Sequence, residues 1–110
     1  MNSLPNKKEM QRLIVSEIES MELKLRTFAN SILVDIQETK LIWEYGNNEK
    51  YPAWTIGDLR ERDVIVMYCP NGHGAYGNPW GINFSTSHHF GQGNCWYNFL
   101  EELLLDGWLD

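Results

Sequence analysis

Apolar residues Met10, Leu13, Ile14, Ile18, Met21, Leu25 and Phe28 recur at spacings of three and four. That period gathers them on one face of a helix over residues 4–28. Ser3 is the expected N-cap, Pro5 suits the first turn, and Asn30-Ser31 is the expected break. Met21 to Leu25 also fits an alternating pattern, so the periodicity leaves the end of this helix open. A second helical stripe, Trp96, Phe99, Leu100, Leu103 and Leu104, follows i, i+3, i+4, i+7 and i+8. It predicts a helix from Asn94 to Asp106, capped by Asn94 and stopped by Gly107.

Between the helices the period shortens to two. Residues 32–36 and 40–45 are extended candidates, with Leu41, Trp43 and Tyr45 on one face of a strand. Gly46-Asn47-Asn48 reads as a turn, and Tyr51 to Ile56 as a strand whose Pro52 suits an edge or a strand start. Gly57 to Arg62 reads as a polar connection. Asp63 to Cys69, β-branched and nearly continuous, predicts a central strand, and Trp80 to Ser85 a further one. Short loops between consecutive strands favour antiparallel pairing. The expected fold is α+β: an N-terminal helix, a roughly four-stranded, mainly antiparallel sheet, and a C-terminal helix packed on the sheet.

At 110 residues the chain is expected to form one compact domain, residues 1–110. Its aliphatic runs are about four residues long, as at Val64-Ile65-Val66-Met67, against the roughly 20 a membrane helix needs. No apolar stretch follows Lys7-Lys8 as a secretory signal requires. Two cysteines do not build a disulfide framework. The expected setting is the cytoplasm.

Charge sharpens the picture. The net charge is −6, from 9 basic and 15 acidic residues. Residues 1–35 are balanced, and residues 36–63 carry four cations against six acids. Residues 64–110 hold Glu101, Glu102, Asp106 and Asp110 and no lysine or arginine. Direct nucleic-acid binding needs a basic patch, which this half lacks. An acidic surface instead suits a basic protein, because complementary fields steer encounter.

Four constellations could carry chemistry. Gly72-His73-Gly74-Ala75-Tyr76-Gly77 matches G-x-G-x-x-G after a strand, but Asn78-Pro79-Trp80 follows where a dinucleotide site needs a helix. The glycines are better read as a tight strand connection. Cys69, His73, His88, His89 and Cys95 are possible metal ligands, without the paired C-x-x-C or H-x-x-x-H spacing of zinc sites. Cys95 at a helix start could act as a thiolate with His88 or His89 as base, but no nucleophile signature surrounds it. Glu101-Glu102, adjacent on a helix, diverge and read as a solvated face rather than a catalytic pair. No cofactor is expected.

Five tryptophans in 110 residues are the strongest compositional feature. Trp43, Trp54, Trp80 and Trp96 fall on expected strands or on the helix stripe, where each fills core. Trp108 lies past Gly107, between Asp106 and Asp110, and an aromatic flanked by acids suits a protein partner.

The series Trp43-Glu44-Tyr45, Tyr51-Pro52-Ala53-Trp54, Tyr68-Cys69, Pro79-Trp80-Gly81, Gly91, and Trp96-Tyr97 running into Leu100-Glu101 resembles small bacterial immunity proteins. These neutralise toxins of contact-dependent inhibition and related polymorphic toxin systems. The resemblance spans residues 43–105 and rests on aromatic spacing in a small acidic α+β chain. It implies a role without catalysis: tight binding of a cognate toxin, with a basic nuclease the expected class. The acidic residues supply the expected contact surface: Glu101, Glu102, Asp106, Trp108 and Asp110, with Asp58, Glu61 and Asp63 as a second group. No membrane partner is expected, and a monomer and a dimer both remain open. The alternative is a small-molecule or metal-binding module built on the Gly72–Gly77 loop with His73, His88 and His89.

Overall fold

The computed structural model describes residues 4–43, 50–59, 64–70, 78–84, 89–90 and 96–105. Within these, three helices and six strands follow in the order α1 (Lys7–Glu19), α2 (Leu23–Ile32), β1 (Leu33–Trp43), β2 (Lys50–Leu59), β3 (Val64–Tyr68), β4 (Trp80–Phe84), β5 (His89–Phe90), β6 (Trp96–Tyr97) and α3 (Leu100–Leu105). The fold is α+β, with the helices contacting a sheet of order β5-β1-β2-β3-β4-β6. All neighbours are antiparallel except β1 and β5, which run parallel. As its β-branched run predicts, β3 is central.

The first helix begins three residues later than Ser3 and Pro5 suggest. Asn6 is its N-cap: the Asn6 Oδ1 accepts the Glu9 N–H at 2.9 Å, and the Glu9 Oε1 accepts the Asn6 N–H at 2.9 Å. This reciprocal pair satisfies donors that the helix itself leaves open. The single helix expected over residues 4–28 is in fact two. The break is at Ser20-Met21-Glu22, where the Met21 N–H turns back to the Ile18 carbonyl. The Ser20 hydroxyl donates to the Glu17 carbonyl at 2.8 Å, and the Arg26 guanidinium donates to the Met21 carbonyl at 3.0 Å. Met21 stays buried inside this turn. The apolar spacing therefore crosses the break without interruption, and the break is invisible in the pattern. Asn30-Ser31 lies inside α2 rather than between elements.

The strands also depart from their expected limits. The two extended candidates at residues 32–36 and 40–45 join as β1, which carries a register irregularity between Leu33 and Gln37. Gly57 to Leu59, expected as connection, is the end of β2, because Gly57, Asp58 and Leu59 pair with Val66, Ile65 and Val64. Pro52 sits near the start of β2, opposite Lys40, although β2 is an interior strand. The turn read at residues 46–48 lies outside the described residues.

One face of the sheet holds the main core. Met10, Ile14 and Ile18 of α1, Leu25 and Ala29 of α2, and Leu100, Leu103 and Leu104 of α3 close over Ile36, Trp54, Ile56, Val66, Trp80 and Ile82. Burying these side chains is the main favourable term of folding. The Trp54 indole N–H donates to the Pro5 carbonyl at 2.8 Å, which holds the segment before α1 against the sheet. The opposite face carries a smaller cluster of Ala53, Met67 and Cys69, flanked by Tyr51, Ile65 and Trp96.

Candidate partner-binding surface

The helix expected from Asn94 begins only at Leu100. Trp96 and Tyr97 instead form β6, which pairs with β4 through Gly81↔Trp96 and Trp80↔Tyr97. A Cβ on Gly81 would lie 2.6 Å from atoms of the Trp96 ring, so the indole packs against a glycine where a side chain would collide. Trp96 thus packs by the smaller cluster, away from the helical stripe that its spacing predicts. Phe99 leaves the stripe as well. It precedes α3 and is 52% exposed. The shortened helix keeps only Leu100, Leu103 and Leu104 on its buried side.

Two carboxylates hold the start of α3. The Glu102 Oε1 accepts the Phe99 N–H at 3.0 Å, and the Glu17 Oε1, from α1, accepts the Leu100 N–H at 2.9 Å. Negative charge beside these amides also matches the positive end of the helix dipole. Glu17 acts on a second group: burial first, and the Glu17 charge second, push the Tyr68 hydroxyl above its ordinary value. Tyr68 meets Trp80 edge-on, with ring centroids 4.7 Å apart.

The sequence-predicted contact residues separate into groups. Glu101 and Glu102 lie on α3, whose buried side faces the main core; Glu102 is exposed and Glu101 half-buried. Asp58 pairs directly with Ile65, so it belongs to the opposite face of the sheet. Directly paired residues project to one side. The fold therefore does not join Asp58 with Glu101 and Glu102 on one side of the sheet. Glu61, Asp63, Asp106, Trp108 and Asp110 lie outside the described residues. Beside Glu101 and Glu102, the sequence reading missed two apolar groups, Phe99 and Leu105, the latter 56% exposed. Phe99 fits the core stripe of a longer helix, so only the late helix start reveals it. Leu105 falls off the stripe and could have been found by that.

Among the metal and ligand candidates, His73, His88, Cys95 and the Gly72–Gly77 loop lie outside the described residues. His89 contributes backbone to β5, opposite Ile42. Cys69 is buried just past β3, its thiol donating to the Pro52 carbonyl at 3.5 Å and its N–H to the Pro79 carbonyl at 2.8 Å. Among the described residues no three His, Cys, Asp or Glu side chains gather as a metal site. No described helix is long and apolar enough to cross a membrane. Set against protein-family models, curated proteins and solved structures, the chain matches none.

Proposed function

We propose that this protein is an immunity protein that binds and neutralises a basic toxin domain, with the face around α3 as its contact surface. The observation that carries this reading is the 47-residue stretch 64–110, which has four acids and no lysine or arginine. Within it, Glu101 and Glu102 stand beside the exposed Phe99 and Leu105. Carboxylates around apolar groups supply what a basic partner needs: long-range attraction for encounter and desolvated contact for residence. The reading requires no catalytic group and no cofactor from this chain. Asp58, on the far side of the sheet from the main core, is not part of this surface.

The test is affinity capture from the native host with washes of rising salt, followed by titration of the purified partner against wild type and Glu101→Lys/Glu102→Lys. The reading expects one partner with a basic domain, inhibited stoichiometrically, and a charge-reversed variant with a markedly slower, less salt-sensitive on-rate. Unchanged binding by the variant would remove α3 from the interface. Capture of no inhibited partner would remove the immunity reading itself.

A further inference from the structure

The outward face of α1 carries Lys8, Arg12, Val15 and Glu19, opposite the side that buries Met10, Ile14 and Ile18. All four are exposed, Val15 by 53%. With Gln11 and Ser16 they wall a shallow hollow of about 320 Å³ on this face. The two cations are set against their own helix. Lys8 and Arg12 stand four residues apart, where like charges repel, and Lys8 lies in the first turn, at the positive end of the helix dipole. Glu9, the acid of that turn, is engaged with Asn6. Among the described residues the ion pair is Lys7 with Asp35, so Lys8, Arg12 and Glu19 have no ion-pair partner there.

The face is complementary to itself when turned end for end. Its cations lie toward the start of α1, its acid at the end, and its apolar side chain between them. Arg12 precedes Val15 by three residues, and Glu19 follows it by four. A second α1 laid antiparallel, with Val15 meeting Val15 at the two-fold axis, therefore sets Arg12 beside Glu19 of the second copy. The same pair recurs on the other side of the axis. Lys8 lies further out, toward the end of the second helix, where the dipole is negative. A parallel arrangement would set Lys8 against Lys8 and Arg12 against Arg12. Moving the antiparallel axis back to Leu13 would bring the two Arg12 side chains together. Charge therefore selects both the direction and the register, and the selected register has the exposed apolar group at its centre.

We propose that two copies of this chain associate through the outward faces of α1, antiparallel about Val15, with an Arg12–Glu19 pair on either side of the axis. The contact is isologous, each copy offering the same patch. Val15 and the aliphatic stems of Lys8 and Arg12 lose water at its centre, and the ion pairs fix the register. The face carries two cations and one acid in a protein of net charge −6, so two acidic copies can approach by it. Exposed ion pairs contribute little each, and a helix of 13 residues offers a small interface, so the dimer is weak and concentration-dependent. It goes beyond the immunity reading and stands whether or not that reading holds.

Sedimentation velocity over a wide concentration range tests it, with Arg12→Glu, Glu19→Arg, the double exchange Arg12→Glu/Glu19→Arg, and Val15→Arg. Wild type is expected to pass from one chain to two as concentration rises. Each single reversal sets like charges beside each other twice and is expected to raise the dissociation constant by about tenfold. The double exchange regenerates both pairs and is expected to restore wild-type association. Val15→Arg places two cations at the axis and is expected to leave a single chain throughout. All four positions are exposed, and circular dichroism verifies that the variants keep the wild-type fold. A wild type that stays a single chain at every concentration overturns the proposal and leaves the face to a different partner. A dimer indifferent to the single reversals or to Val15→Arg, or one that the double exchange fails to restore, overturns it as well.

Discussion

The Glu17 Oε1 of α1 lies 2.9 Å from the backbone nitrogen of Leu100, 83 residues later, at the first residue of α3. A six-residue helix is too short to be stable alone. Its side chains hold it to the main core, and Glu17 holds its first amide. Glu17→Ala is expected to lower unfolding stability by about 1–2 kcal/mol, since a partly buried N–H loses its acceptor. Glu17→Gln keeps an acceptor and is expected to cost less. Urea denaturation measures both, and hydrogen exchange at the Leu100 amide should rise in the alanine variant before any global change.

Alkaline pH reports the same neighbourhood. In the folded chain Tyr68 holds its proton above the ordinary phenol value of 10.0, through burial first and the Glu17 charge second. Between the unfolded and the raised folded value, the folded state binds more protons. The stability that Tyr68 contributes is thus complete below about pH 10 and falls as pH climbs from there through the raised value. Melting temperature from pH 8 to 11 should fall less steeply in Tyr68→Phe than in wild type. A loss of equal slope in both would place the alkaline sensitivity elsewhere.

Gly81 and Trp96 form a second dependent pair. Gly81→Ala sets a methyl group 2.6 Å from ring atoms of Trp96. Displacing the indole or bending β4 is expected to cost about 1–3 kcal/mol. In a Trp96→Leu background the same substitution should cost much less, because the colliding ring is gone. A double-mutant cycle by chemical denaturation measures this coupling, and additive costs would contradict the contact.

The short helix yields a contrast between neighbours. Leu103 is fully buried, and Phe99 is 52% exposed. Leu103→Ala is expected to cost about 2–5 kcal/mol. Phe99→Ala should fall within about 0.5 kcal/mol of wild type, as surface substitutions do. A helix running from residue 94 would make both severe, so thermal melts of the two variants also test where α3 begins.

The β-branched, nearly continuous run from Asp63 to Cys69 and the spacing by three and four of Met10, Leu13, Ile14 and Ile18 were sufficient to recover a central strand, a first helix and the α+β class. The run records burial on both sides of a strand, and the spacing records which side of a helix avoids water. The turn at Ser20 to Glu22 escaped the same reading because Met21 is buried within it, so the stripe runs on through a change of element. Of the expected contact residues, Glu101 and Glu102 were legible as acids on a helix. Their separation from Asp58 was not, because it depends on the register of β2 against β3.

The sequence by itself determined the balance of charge, the alternation that makes strands and the stripes that make helices, since these are local patterns of side chains along one chain. Only the tertiary structure decided where α3 starts, that Trp96 belongs to a strand, and that β1 lies between β2 and β5. Those outcomes turn on contacts across long separations: Glu17 with Leu100, Gly81 with Trp96, and β1 with β2 on one side and β5 on the other. A local pattern can make a residue fit for either a helix or a strand; the surface it meets selects between them.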